Sequence, residues 1–404
     1  MKVCVVAEFY PRRREPVRGV WAHRQALAAR DAGAEVKVIA LERPVPPAAT
    51  VAALRRGDPA PLLASLRELA AQPRHEVRDG LEIEYVRYLS PPRPRSYGRW
   101  HAWARAPLRR ALTRLDAGWG IDLVHAHYAL PAGAAASAFA RERRLPLVVS
   151  VHGGDVFLAG APVRALVADV LRGADAVLCN SQATRARCEA LTGTAAGLEV
   201  VHLGAAAPAA APPAGAAGNG VPSIATVGDV VERKRHADVL RALRLLEGPL
   251  EQLRYRVIGA GPELGSLRRL ADELGVAGRV EWLGQLEPDP ALSELARSSL
   301  MAMPSVDEAF GVAYVEALAC GLPAIGCRGE GGPEEIAALS EAMVLVPPGD
   351  VAALAQAIES VLSDPQRLRD LSRAARDCAG EHFTWELCGR RTVAAYRRVL
   401  EARR

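Results

Sequence analysis

Two series of strand-like apolar runs, each interleaved with helical stretches, constrain this chain more than any other feature. The first series is KVCVVA (2–7), EVKVIAL (35–41), LEIEYVRYL (81–89), DLVHAH (122–127), LPLVVSVHG (145–153), DAVLCNS (175–181) and LEVVHLG (198–204). The second is SIATVG (223–228), RYRVIGAG (254–261), RVEWLG (279–284), LMAMPS (300–305), LPAIGC (322–327) and AMVLVPPG (342–349). Strands separated by helices demand crossover connections, so each series predicts a parallel sheet covered on both faces. Between them lies AAAPAAAPPAGAAGNG (205–220), which has no charge and cannot pack as either element. The reading is therefore an N-terminal Rossmann-like domain over 1–204, a linker at 205–221 and a second such domain over 222–383. The amphipathic segment 384–404 is expected to be a helix bracing the two. Doubly wound sheets bind ligands beyond the carboxyl ends of their strands, so a central cleft faced by both domains is the expected site.

Half of the residues are apolar, which excludes a disordered chain. A net charge of +5 over 404 residues implies no nucleic-acid partner without a concentrated patch. Seven cysteines without CxxC pairs fit free buried thiols in a reducing, cytoplasmic setting better than a disulfide framework or a zinc site. MKVCVVAEF runs quickly into arginines and reads as a first strand, not a secretory leader. No run of about 18 apolar residues is free of Pro, Gly and charge, so no spanning helix is expected. There is no Asp-x-Asp, HExxH or Cys/His cluster, and no metal or other cofactor is expected.

The densest chemistry lies in DEAFGVAYVEALACGLPAIG, Asp307 to Gly326. LMAMPS ends a strand and GVAYVEALACG has helical spacing, so Gly311 falls at the first turn and Gly321 at the helix end. Free amides at Gly311 and Val312 would favour an anion, above all a phosphate. Glu308 precedes that turn and Glu316 lies one to two turns along it. Two carboxylates flanking a diphosphate suit a nucleotide-sugar, whose hydroxyl-rich rings stand on either side. The competing reading makes both glutamates ordinary helix-start charges.

The Glu–seven residues–Glu spacing inside PSVDEAFGVAYVEALACGLPAIG, followed by GEGGPEEI, resembles family 4 of the retaining glycosyltransferases, which have the two-domain GT-B fold. The resemblance runs from the first strand to the terminal helix. It implies that Glu308 meets hydroxyls of the donor sugar, that Glu316 holds the ribose, and that amides around Phe310, Gly311 and Val312 bind the donor phosphates. In VGDVVERKRH (227–236) the family's glycine and lysine are matched by Gly228 and Lys234, but Asp229 stands where an arginine is expected. Arg233 is the candidate to replace that cation. Lys234 is one of only three lysines in a chain that otherwise uses arginine, and a compact ammonium suits a phosphate oxygen. In SVHGGDVF (150–157) the resemblance places His152 beside the donor sugar, with Asp155 a neighbour and His127 of HAHYALPAG on the acceptor side. It also puts Gly19 near the donor phosphate and Gly259 to Pro262, Leu283 and Gly284 near the base. VIGAGPELG has the spacing G-x-G-x-x-x-G, which departs from a dinucleotide fingerprint.

The function implied is transfer of a sugar from a UDP- or GDP-sugar to an acceptor hydroxyl, with His152, Lys234 and Glu308 as the catalytic set. The hydroxyl would attack the face the diphosphate leaves, a phosphate oxygen taking its proton. A nucleotide-sugar epimerase and a non-catalytic sugar-nucleotide-binding module, the latter suggested by Asp229, stay open at this point. The basic segment 91–115, with Trp100 and Trp103, is a candidate for peripheral contact with the inner face of a membrane; the competing reading packs its tryptophans inward.

Overall fold

The computed structural model describes residues 1–44, 48–90, 97–157, 161–205, 208 and 221–403. Nearly all of the expected linker, and the Pro- and Arg-rich start of the 91–115 segment, lie outside them. The chain divides into two compact units. Unit 1 holds Met1–Asn180, Thr184–Val201 and Cys388–Arg404; unit 2 holds Ser181–Ala183 and His202–Leu387.

Unit 1 is built on β1 (Lys2–Ala7), β2 (Glu35–Glu42), β3 (His75–Arg78), β4 (Leu81–Arg87), β5 (Leu123–His127), β6 (Leu147–Val151), β7 (Ala176–Cys179) and β8 (Leu198–Val200). Their order across the sheet is β3-β4-β2-β1-β5-β6-β7-β8. All pairings are parallel except β3 with β4, a hairpin closed by Asp79–Gly80, whose Asp-Gly pair is a strong two-residue turn signal. The reading from sequence takes LEIEYVRYL as a strand but misses its hairpin partner. It also misses two helices, Ala48–Arg55 and Ala60–Ala71, between β2 and β3. The central strands are buried on both faces, as a sheet sandwiched between helices requires. The terminal helix, Trp385–Glu401, sends its later turns into unit 1. There Gln25 donates to Thr392, and the Tyr396 hydroxyl meets His125 Nδ1 at 2.6 Å.

Unit 2 carries β9 (Ser223–Val227), β10 (Arg254–Ile258), β11 (Val280–Gly284), β12 (Leu300–Ala302), β13 (Ala324–Cys327) and β14 (Met343–Val346), all parallel. Their order is β11-β10-β9-β12-β13-β14, the doubly wound arrangement in which strand order reverses between the first and fourth strands. Ile224, Val257, Leu300 and Ile325 sit in its buried core with Val239, Leu240 and Ile358 from the covering helices. All seven cysteines are free and buried.

The loops leaving β9 and β10 touch through backbone alone. Gly228 donates to Ile258, and a side chain at Gly259 (φ 147°) would put its Cβ 1.9 Å from the Gly228 carbonyl oxygen. Gly259→Ala is therefore expected to cost about 3 kcal/mol or more, through both the clash and the backbone angle. Gly278→Ala, where a Cβ meets nothing within 4 Å, should be close to neutral. Chemical denaturation of the two variants checks this; a loss under about 1 kcal/mol at Gly259 would contradict it.

Candidate donor site

The reversal point of the unit 2 sheet lies between β9 and β12, and the loops leaving these two strands bring together residues some 75 positions apart. Val306 donates its amide to the Arg233 carbonyl at 2.9 Å, stitching one loop to the other. On that base, Lys234 Nζ lies 2.5 Å from Glu308 Oε2, Ser305 Oγ donates to the same oxygen at 3.1 Å, and Arg233 reaches it at 3.4 Å. Both members of the close pair are about 10% exposed. Burial pushes the Glu308 carboxyl up, but the charge and hydrogen bond of Lys234, helped by Arg233 and Ser305, outweigh it and hold the group below its ordinary value. Glu308 is thus a fixed carboxylate, oriented from three directions.

Its backbone is held equally firmly. The Glu308 amide donates to Glu330 Oε2 at 2.8 Å, and the Ala309 carbonyl accepts from Ser181 Oγ at 2.7 Å. Phe310 is buried between His202 and Phe383, ring centroids 5.7 and 5.8 Å away, so only its backbone can serve a ligand. Gly311 then caps the helix Val312–Ala319 in the left-handed region, at φ 80°. A Cβ there would lie 2.4 Å from the Tyr314 ring, so the position requires glycine for both space and angle. Tyr314 is itself locked by donating to the Met303 carbonyl at 2.5 Å. Among the described residues, the amides of Gly311, Val312 and Ala313 donate to no backbone carbonyl. They are the unpaired donors that every helix start leaves, placed here at the reversal point of the sheet. Glu316 stands half-exposed in the second turn of this helix.

The remaining candidates in unit 2 are Gly259, ending β10 beside Gly228, and Leu283, half-buried in β11. Asp229 is exposed on the loop after β9, and it is Arg233, not Asp229, that reaches the Glu308 carboxylate. The involvement of Ser305, Tyr314 and Glu330 was not foreseen from the sequence. GEGGPEEI flagged the neighbourhood of Glu330, but nothing in the order of residues says that its carboxylate caps the amide of Glu308.

In unit 1 the sheet reverses between β1 and β5, and the other candidates gather at the ends of β5 and β6. His127 Nδ1 and His152 Nε2 are 2.9 Å apart. His125, beside them, meets Ser150 at 2.8 Å as well as Tyr396. Burial pushes His125 and His152 down to about 3 and His127 well below its ordinary value, His125 being further depressed by His152 and His127 by both of its neighbours. All three are neutral imidazoles near pH 7. Asp155 accepts from the Ala129 amide at 3.0 Å. Burial raises its pKa to about 6, with backbone hydrogen bonds pulling the other way. Gly19 caps the helix Val20–Asp31 against the end of β1. Among the described residues no group of three or more His, Cys, Asp and Glu could hold a metal ion.

Residues 17–206 match the model of Glycosyltransferase Family 4 and residues 212–377 that of Glycosyl transferases group 1. The chain is 29% identical over 273 residues to the GDP-mannose-dependent alpha-(1-6)-phosphatidylinositol monomannoside mannosyltransferase of Mycolicibacterium smegmatis, covering 64% of this chain and 71% of that protein. In fold it is similar to a sucrose-phosphate synthase from Thermosynechococcus elongatus, with TM-score 0.77, 19% identity and all of both chains covered. It is also similar to Anabaena HepE solved with UDP and glucose, with TM-score 0.73, 18% identity and coverage of 98% of this chain and 100% of the other. The two family models together span almost the whole chain, and the two doubly wound sheets are those of the neighbouring structures: the chain belongs to family 4 of the GT-B glycosyltransferases.

Proposed function

We propose that this glycosyltransferase moves a hexosyl group from a UDP- or GDP-sugar to an acceptor hydroxyl with retention of configuration and without a metal ion. The observation that carries the reading is the buried Lys234–Glu308 pair set beside the unpaired amides of Gly311 and Val312. The amides and the two cations, Lys234 and Arg233, form a preorganised positive edge for the diphosphate, strongest as the leaving group gains charge. Arg233 supplies the second cation that Asp229 does not. Glu308, kept ionised and fixed, accepts from hydroxyls of the donor sugar, while Glu316 accepts from the ribose. Gly259 and Leu283 border the base.

The imidazoles of unit 1 can accept or donate hydrogen bonds without a charge of their own, which suits His152 to sugar hydroxyls. His127 meets its ring, and Asp155 accepts from backbone amides of the same loop. The donor base stays open between uracil and guanine: the M. smegmatis relative is named for GDP-mannose, and HepE was solved with UDP. A cytoplasmic location, with the acceptor at a membrane surface, completes the proposal. In the 91–115 segment Trp100 is buried and Trp103 packs against the core, so any contribution there falls to the outward arginines Arg105, Arg109 and Arg110.

The test is turnover of UDP- and GDP-hexoses over an acceptor panel with a chelator present, and proton NMR of the first-formed product. Retention and a rate unchanged by chelator are expected. An inverted product, or activity lost to chelator and restored by a divalent ion, would contradict the reading. An epimerised nucleotide-sugar formed without acceptor would replace transfer by epimerisation.

A further inference from the structure

The helices Ala48–Arg55 and Ala60–Ala71 bury Ala53 and Leu69 and leave further large apolar side chains in solvent. The second buries Ser65, whose hydroxyl finds no partner among the described residues, and turns Leu63 and Leu66 outward at 51% and 46% exposure. Leu54 and Val51 on the first helix are 45% and 40% exposed. Leu69 is buried on the inner face of the second helix, but a surface helix ordinarily keeps the opposite face polar. Leu89, just past β4, is 75% exposed. Five of the eight large apolar side chains that stand exposed among the described residues therefore belong to this helical hairpin and the strand end on which it is rooted. The root is firm: Arg87, ending β4, donates to the carbonyls of Leu69 and Gln72 at 2.9 Å each. Other exposed apolar residues of the molecule are scattered, which needs no explanation; a cluster of this kind does.

The charge around the cluster selects what covers it. Residues 43–120 hold fourteen arginines, no lysine and seven acids, so this stretch alone is more positive than the whole chain at +5. Arg55, Arg56 and Arg67 stand exposed on the hairpin, and Arg43, at its start, lies 4.2 Å over the ring of Trp100, the first residue of the helix that carries Arg105, Arg109 and Arg110. A second copy docking face to face would set these arginines against each other. Guanidinium groups match phosphate geometry, and leucines flanked by arginines match the boundary between lipid headgroups and chains. No helix among the described residues is long and apolar enough to cross a membrane, so the contact is a surface one.

We propose that the hairpin 48–71 is a membrane-docking element: Val51, Leu54, Leu63 and Leu66 enter the interface of an anionic bilayer and the arginines meet lipid phosphates. Because the hairpin leaves the carboxyl end of β2 and is tied by Arg87 to the carboxyl end of β4, docking sets the ligand-binding end of the unit 1 sheet at the lipid surface. The assignment does not depend on the identity of the donor.

Flotation of the full chain at low salt tests it, using phosphatidylcholine vesicles with and without phosphatidylglycerol. Binding is expected only with the anionic lipid and should fall as salt is raised. Leu63→Glu/Leu66→Glu should weaken it by about tenfold or more, and Arg55→Glu/Arg56→Glu by a similar factor. Thermal melting and UDP or GDP binding should match wild type in both variants, showing that fold and donor site are intact. Absence of binding to anionic vesicles, or equal binding by the leucine variant, overturns the proposal. So does light scattering showing a wild-type dimer that the leucine variant converts to monomer, since the face would then meet a second copy.

Discussion

Lys234→Met is expected to lower kcat/KM by about 100- to 1000-fold, the usual effect of removing one preorganised charge donor from a leaving-group site. The same substitution leaves the Glu308 carboxylate buried with only Ser305 and the more distant Arg233 as partners. Losing one member of a buried pair costs about 3–5 kcal/mol. Arg233, 3.4 Å away and about 40% exposed on its side chain, can move in, so the lower end of that range is expected. Adding Glu308→Gln to Lys234→Met removes the unpaired charge and should recover most of the stability while recovering no activity. The combination separates two roles that a single variant confounds. Urea denaturation and steady-state kinetics on the wild type, both single variants and the double variant complete the cycle. A Lys234→Met enzyme within a factor of two of wild type would remove Lys234 from the mechanism.

Acidification should destabilise unit 1 steeply, well above the pH at which most carboxylates titrate. In the unfolded chain His125, His127 and His152 take up protons as the pH falls through about 6.5. In the fold, burial holds His125 and His152 down to about 3, and His127 well below its ordinary value. The unfolded state therefore binds more protons throughout this window, and stability present at neutral pH is lost as the pH falls. Asp155 works in the opposite sense: raised to about 6, it takes its proton in the folded state first and offsets one histidine until the unfolded aspartate titrates near 3.8. Within this cluster three groups against one leave about two protons, or roughly 3 kcal/mol per pH unit between about pH 6 and pH 4, and burial of His23 and His101 acts in the same sense. Over that range the loss is of the same order as the whole stability of a domain. In unit 2 the depressed Glu308 acts in the same sense below about 4.5, its contribution disappearing as the pH falls through its folded pKa. Urea midpoints measured against pH should show this slope, and His127→Asn should reduce it by about one proton. A flat profile from pH 7 to pH 5 would show that these imidazoles are not held neutral.

The sheets were legible because parallel strands buried on both faces are continuous apolar runs, and helices between them show their own period. Gly311 was legible for a local reason as well: a glycine opening a helix after a strand marks a turn with free amides. Gly19 was found in the same way, and Gly321 as the glycine that ends the helix Gly311 opens. The pairing of Lys234 with Glu308 was not, because it joins loops 74 residues apart and depends on which strands are neighbours in the sheet. The resemblance suggested each residue singly, but only the order β9-β12 makes them partners. Ser305, Tyr314 and Glu330 were missed because they touch Glu308 or its loop, and position it, without carrying a motif of their own. The helices at 48–71 were missed for a different reason. Leu54, Leu63 and Leu66 face outward while Leu69 and a serine face inward, so apolar residues fall on both sides and the helical period is blurred.

The central expectation is a nucleoside diphosphate seated at the start of the helix Val312–Ala319, within unit 2. Calorimetric titration of UDP and GDP into the wild type and Lys234→Met tests it most directly. The wild type is expected to bind at least one of the two, and the variant to bind it about tenfold or more weakly, in line with loss of a charged contact to phosphate. If the wild type binds neither, or the variant binds as tightly as the wild type, the diphosphate does not sit where the lysine, the glutamate and the helix amides meet.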